Sequence, residues 1–242
     1  MSNFIYAAPR DGHCRQNDSG TLPGIGTMRI RFREPVNGWS HFLAAVLAAV
    51  GWGVLLFLGR EDFARQMVLS IYGLSMVFLF SCSAAYHSVF AAPRILERLR
   101  KLDHAAIYLQ IAGTYTPFCA LVFHGFWSWG LLAVIWGLAG LGILVKMFLM
   151  QAPRWVSAGV YLGMGWLSVA AVGEMWRTLS AGALIWLFAG GLLYTGGAIV
   201  YATKKMDFFP GKFGFHEVWH LFVVCGALAH FVSIAAYLAP AS

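Results

Sequence analysis

The chain has 242 residues, of which 60% are hydrophobic and only 11% charged, and it carries a formal net charge of +7. Soluble domains hold about 25% charged residues, so there is too little polar surface here to coat a water-soluble globule of this size. The positive charge is not gathered into one patch, as a nucleic-acid partner would need; it falls in short clusters between apolar runs, the pattern of membrane topology.

Residues 1–28 contain Arg10, Asp11, His13, Arg15 and Asp18 and no apolar stretch of the length a cleavable signal peptide needs. They read as a mobile cytoplasmic tail, with a short amphipathic surface helix over Met28–Arg33 as the alternative. The boundary is drawn after residue 33, leaving 1–33 as tail and 34–242 as a membrane domain. Of the four cysteines, Cys82, Cys119 and Cys225 lie inside apolar runs and Cys14 is alone in the tail, so no disulfide framework is expected.

A helix needs about 20 apolar residues to cross a hydrocarbon core about 30 Å thick. Seven segments reach that length, at 40–59, 67–90, 105–123, 126–145, 155–173, 179–202 and 215–238. They are separated by charges, by Pro93, Pro153 and Pro210, and by a tight turn at His124–Gly125. No alternating pattern of barrel strands appears. The predicted fold is all-α, a seven-transmembrane helix bundle. Gly159 and Gly163 form a small-xxx-small pair, read as a helix-packing contact.

Lys and Arg set the orientation. One side collects Arg10, Arg15, Arg29, Arg31 and Arg33, then Arg94, Arg98, Arg100 and Lys101, then Lys146 and Arg154, then Lys204, Lys205 and Lys212. The other side has Arg60, Arg65 and Arg177 alone. The positive-inside rule therefore predicts a cytoplasmic N-terminus and an external C-terminus. The outer loops are too short to form a domain that grips a large protein ligand. No repeated pair of interrupted spans of the transporter kind is seen.

With this orientation five polar residues fall at one depth in the inner leaflet. His87 lies near the inner end of span two with Ser83 one turn deeper, Asp103 opens span three, and His216 and His220 open span seven. Ionisable groups inside a membrane cost about 2.5–3.5 kcal/mol at mid-span and mark functional interiors. His216 and His220 stand at i and i+4, so their imidazoles project from one helix face about 6 Å apart. Ser83 and His87 share that spacing. Three histidines with an open fourth position make the pattern of catalytic Zn²⁺, which lowers the pKa of its water to about 7. Asp103 would orient or deprotonate that water, and Ser83 would hydrogen-bond the developing oxyanion. The same residues also admit plain readings: interfacial polarity for the His pair, a cap or dipole partner for Asp103, and a bond to its own helix backbone for Ser83. His230, His124 and His13 are too far away to share the ion, His104 reads as interfacial, and His41 as a supporting or packing residue.

Three motifs resemble those of the hemolysin III group of the progestin and adipoQ receptor (PAQR) family, within a wider superfamily of membrane hydrolases that includes alkaline ceramidases. The first is Glu-x2-Asn-x2-Ser/Thr-His, here Glu34, Asn37, Ser40 and His41. The second is Ser-x3-His with a following Asp, here Ser83, His87 and Asp103 in "SAAYHSVF…KLDHAAIY". The third is His-x3-His, here His216 and His220 in "HEVWH". The resemblance implies a seven-helix bundle with Zn²⁺ held by the three histidines near the cytoplasmic face, its water associated with Asp103 and Ser83 close by. With the topology it implies residence in the bacterial inner (plasma) membrane, but it brings no substrate with it; a membrane lipid as substrate or ligand is expected because the site is reachable sideways from the inner leaflet.

Three functions follow as expectations: a zinc-dependent hydrolase of a lipid amide or ester bond working from the inner leaflet in membrane homeostasis; a receptor-like or homeostatic protein with structural zinc and no turnover; and a cytolytic, pore-forming protein. The last is weakened by the lack of any span with a polar stripe long enough to line a pore. A retinal pump is opposed by the lack of Lys in 215–238.

Overall fold

The computed structural model describes residues 33–148, 152–209 and 213–240. The tail, apart from Arg33, thus lies outside the described residues, as do most of the surface helix considered at Met28–Arg33 and the loop residues Pro210 and Lys212. The helices are α1 (Pro35–Leu58), α2 (Phe63–Ser88), α3 (Pro93–Leu121), α4 (Phe126–Phe148), α5 (Arg154–Trp166), α6 (Val172–Thr178), α7 (Ala181–Thr203) and α8 (Phe215–Tyr237). A 3-10 turn at Leu167–Ala171 joins α5 to α6, so these three follow one another without a break and the described residues form seven helical rods. Six rods are long and apolar enough to cross a membrane: α1, α2, α4, the stretch Arg154–Thr178, α7 and α8.

Local chemistry explains the helix ends. Pro35 and Pro93 open α1 and α3, where the missing N–H of proline costs no hydrogen bond. The Asp62 carboxylate caps α2 by accepting from the N–H groups of Ala64 (2.9 Å) and Arg65 (3.3 Å). Gly125 turns α3 into α4 at φ 56°, in the left-handed region that glycine enters without a Cβ clash. The turn expected at His124–Gly125 is therefore present.

The rod expected at 105–123 begins instead at Pro93 and runs 29 residues. Its first turns are polar and held by the Glu97–Lys101 pair at 3.3 Å, the i, i+4 spacing. Helix α3 is the interior element, packed against α2, α4, α5 and α8. That position explains why α3 falls short on mean hydropathy. Its polar side chains face protein, where Gln110 meets Ser75 at 2.8 Å and Thr116 accepts from Trp136 at 3.2 Å. A buried polar group keeps its place in a membrane protein when a neighbouring helix satisfies it. Helices α2 and α3 approach so closely that a Cβ at Gly113 would collide with Ser75.

Packing runs from α1 to α2, α3 and α4 in turn; α5 packs on α7, α7 on α8, and α8 returns to α1. The α5–α6 rod departs from a regular helix because Tyr115 of α3 enters it. The Tyr115 hydroxyl lies 2.8 Å from the carbonyls of both Met164 and Gly165 and accepts from the Ser168 N–H at 2.7 Å. Those backbone groups are withdrawn from the i→i−4 ladder, and the rod tightens to 3-10 geometry there. The packing role expected of Gly159 and Gly163 is not observed: a Cβ at either would meet nothing within 4 Å. Their face is turned away from the other described helices.

Candidate metal centre

The two ends of the chain's membrane domain meet at one point. Helix α8 begins with one half of a capping box, the Glu217 carboxylate accepting from the N–H of Gly214 at 2.8 Å. This fixes the first turns of α8 and with them His216 and His220. The other Glu217 oxygen accepts from Asn37 Nδ2 of α1 at 2.9 Å. Asn37, fully buried, also donates to Glu34 Oε2 at 3.2 Å. Glu34 Oε2 in turn lies 2.6 Å from Nδ1 of His87, in the last turn of α2. A backbone bond from the Glu34 N–H to the His87 carbonyl (2.9 Å) doubles this tie. One hydrogen-bonded chain therefore runs from α8 through α1 to α2.

Glu34 stands just before α1 and stays ionised. Burial alone raises its pKa, but the hydrogen bonds to His87 and Asn37 and the charge of Arg33 outweigh burial and hold its carboxyl below the usual carboxylate range. Arg33 forms an ion pair with it at 3.4 Å and donates to the Tyr86 carbonyl at 2.6 Å.

His87, His216 and His220 converge as the sequence predicts, and each offers a nitrogen within 4.8 Å of the others. His216 Nε2 and His220 Nε2 are 3.2 Å apart. Two nitrogens on a tetrahedral zinc, each about 2.0–2.1 Å from the ion, stand about 3.4 Å apart, so this pair already has the spacing of a clamp. Because Nδ1 of His87 is committed to Glu34, its Nε2 is the free nitrogen, and that atom is buried without a hydrogen-bond partner. A buried polar atom left unpaired costs about 1–3 kcal/mol, and a ligand here would remove that cost. The residues fit a metal ion.

Ser83 and Asp103 line the same cavity as the three histidines. Ser83 is buried and faces the cavity that Asp103 also lines. Ser40, by contrast, donates to the Asn37 carbonyl of its own helix at 3.2 Å. His41 is buried against the cluster, its ring centroid 3.9 Å from that of His220 and 5.2 Å from Phe80, and neither of its nitrogens has a hydrogen-bond partner. His104, read as interfacial, instead lines the cavity beside Tyr161, whose hydroxyl reaches its carbonyl at 3.3 Å. His230 also lines the cavity, away from the cluster, with Nε2 at 3.1 Å from the Leu187 carbonyl. His124 is exposed and pairs with Glu174 at 3.3 Å. His13 lies outside the described residues.

The cavity has a volume of about 830 Å³. The histidines, Asp103 and Ser83 line it at one end, and apolar residues such as Ile111, Phe118, Phe123 and Leu187 line it further along. Volumes of 300–1,000 Å³ accept drug-sized ligands, and a charged end with an apolar interior matches an amphiphile. Sequence reasoning named Glu34 and Asn37 without giving them a role, and it passed over Glu217. The signal for Glu217 was its place inside "HEVWH", at the third helical position where a capping carboxylate is expected.

Comparison with known proteins agrees with the motifs. The model of the family described as "Haemolysin-III related" matches residues 30–231. The chain is 35% identical over 209 residues to Hemolysin-3 of Bacillus cereus, an alignment covering 86% of this chain and 92% of the relative. It is 39% identical over 206 residues to a Hemolysin-3 homolog of Bacillus subtilis, covering 84% and 93%. It is 29% identical over 247 residues to the Adiponectin receptor protein of Drosophila melanogaster, covering 89% of this chain and 54% of that one.

Proposed function

The chain belongs to the haemolysin-III related family, and within that family we propose that it is a zinc-binding protein that hydrolyses an amide or ester bond of a lipid. It is an integral membrane protein with six helices able to span, and its bacterial relatives point to the plasma membrane. The observation that carries the proposal is a convergence: three imidazoles, a carboxylate and a hydroxyl line the polar end of one largely apolar cavity. The proposed topology has seven spans, with α3 as the seventh, the N-terminus in the cytoplasm and the site in the inner leaflet.

In this reading His87, His216 and His220 hold Zn²⁺, which supplies a Lewis acid and a water made acidic near neutral pH. Glu34 holds the His87 ring by its Nδ1, so that Nε2 faces the other two histidines. Asp103 takes the proton of the attacking water and returns it to the leaving group. Ser83 donates to the oxygen on which charge develops. The apolar walls seat the acyl chains and keep bulk water from the scissile bond.

The test uses the purified protein. Bound metal is measured by elemental mass spectrometry, and cleavage of membrane lipids by intact-lipid mass spectrometry, for wild type, Asp103→Asn and His87→Ala. Stoichiometric zinc with turnover in wild type and its loss in both variants supports the reading; full turnover by both removes it. A second reading, a receptor-like protein with structural zinc, draws on the same histidines, since they join α2 to α8 while Glu34 and Asn37 add α1. It predicts zinc, loss of stability on chelation, and no turnover of any lipid.

A further inference from the structure

Lys146 sits in the last turn of α4, where a lysine at a membrane boundary ordinarily extends its ammonium into water. Here it is 4% exposed and its Nζ donates to Ser157 Oγ at 2.6 Å. Among the described residues no carboxylate lies within ion-pair distance of it. Lysine is almost never buried without a counter-charge, because removing an ammonium from water costs several kcal/mol that one neutral hydroxyl does not offset. The ammonium therefore borders the cavity with a hydroxyl beside it and no carboxylate.

Two more cations line the same cavity, Arg100 and Arg154. Arg154 lies over the rings of Tyr201 (5.6 Å) and Phe215 (5.4 Å), the latter adjacent to His216. Neither arginine has an ion-pair partner among the described residues. Of the carboxylates that line the cavity, Glu34 is engaged with His87 and Glu217 with Asn37 and Gly214, and among the described residues Asp103 forms no ion pair with Arg100, Lys146 or Arg154. Asp207 is exposed. One buried and two exposed cations therefore line the cavity with no carboxylate paired to them among the described residues.

We propose that Arg100, Lys146 and Arg154 form a phosphate-binding subsite at the polar end of the cavity, selecting a lipid with an anionic phosphate headgroup over a neutral one. Guanidinium groups match phosphate oxygens in pairs, and the lysine adds a point charge. The apolar walls take the chains of the same molecule. The inference deepens the lipid reading and rests on the cavity being the lipid's place, though not on zinc or on hydrolysis.

The experiment titrates purified full-length protein with dioctanoyl phosphatidylglycerol, with dioctanoylglycerol, which has equal chains and no phosphate, and with inorganic phosphate as competitor. Dissociation constants are read by native mass spectrometry for wild type, Lys146→Met, Arg154→Gln and Arg100→Gln. Wild type should bind the phosphate lipid at least about tenfold more tightly than dioctanoylglycerol, and each variant should lose most of that preference while binding dioctanoylglycerol as before. Displacement by inorganic phosphate would support the subsite with the phosphate group alone as sufficient ligand. Failure of displacement, with the preference still lost in the variants, would support it with the intact lipid as ligand. Equal affinity of wild type for the two lipids, or a preference kept in all three variants, overturns the proposal. Arg154→Gln and Arg100→Gln alter exposed positions and carry the test if Lys146→Met does not fold. Zinc and turnover are measured on the same samples. Headgroup preference without turnover removes the hydrolase and leaves the subsite, whereas turnover without preference removes the subsite alone.

Discussion

Glu34 Oε2 lies 2.6 Å from Nδ1 of His87, and this contact decides which face of the imidazole is left for a metal. A histidine has two nitrogens, and the one that hydrogen-bonds a carboxylate fixes the tautomer and aims the other. With Nδ1 held from α1, Nε2 of His87 is directed at the pair on α8 rather than at lipid. Loss of such a supporting carboxylate commonly costs 10–100-fold in metal affinity. Glu34→Ala should weaken zinc binding by about that factor, and Glu34→Gln, whose amide oxygen still accepts from Nδ1–H, by less. Competition with a fluorescent chelator measures both, and a wild-type affinity in Glu34→Ala would show the contact to be incidental.

In the proposed hydrolase, variants of Asp103 and Ser83 would separate catalysis from metal binding. Neither belongs to the three-histidine group, so Asp103→Asn should keep its zinc while lipid cleavage falls by about 10²–10⁴, the usual worth of a general base. Ser83→Ala should also keep zinc, with a drop of about 10²–10³ if its hydroxyl meets the oxyanion. A variant that loses metal and activity together would assign Asp103 to holding the site.

The helices and their order are legible in the sequence because hydrophobic length is a strong signal and charges or prolines mark the joints. The weaker signals fail for identifiable reasons. Helix α3 starts three turns early because Pro93 opens it and Glu97 pairs with Lys101 outside the apolar run. The break at Leu167–Ala171 is dictated by Tyr115, fifty residues away, and local propensity carries no trace of it. The three histidines were readable from spacing and depth, but the links from Glu34 and Asn37 to α2 and α8 are long-range pairings that one sequence does not display. Gly159 and Gly163 show the opposite error, a packing motif whose face meets no other described helix.

Zinc should also be a structural asset. The three histidines bridge α2 and α8, which lie far apart in the chain, so an ion binding only the folded state stabilises it by about 4 kcal/mol at a thousandfold excess over Kd. Chelation should lower the thermal midpoint of wild type and leave His216→Ala and His220→Ala, already without the clamp, unmoved. Equal sensitivity of wild type and variants to the chelator would mean that the histidines hold no ion.

His41 presents a choice between support and packing. Its ring lies 3.9 Å from that of His220, while its buried nitrogens bond to nothing. If the ring serves by stacking alone, His41→Phe should retain zinc and hold or raise the thermal midpoint, because it removes two unsatisfied polar atoms while keeping the shape. His41→Ala should destabilise, since it opens a void beside His220. Loss of zinc in His41→Phe would instead give His41 a polar role in the site.

Tyr115 makes three backbone contacts with one hydroxyl. Tyr115→Phe keeps the ring and deletes that oxygen, leaving the Ser168 N–H without its partner, while the carbonyls of Met164 and Gly165 keep the Leu167 N–H and the Ser168 hydroxyl. A buried group so stranded costs about 1–3 kcal/mol, and in a membrane no water is at hand to take the place of the hydroxyl. The rod can recover part of this by relaxing toward a regular α-helix, which would move Trp166, a residue lining the cavity. Tyr115→Phe should therefore lower thermal stability with zinc content unchanged, and hydrogen exchange should report the difference at 164–171. A variant as stable as wild type would show that the 3-10 turn is set by the chain itself and not by the tyrosine.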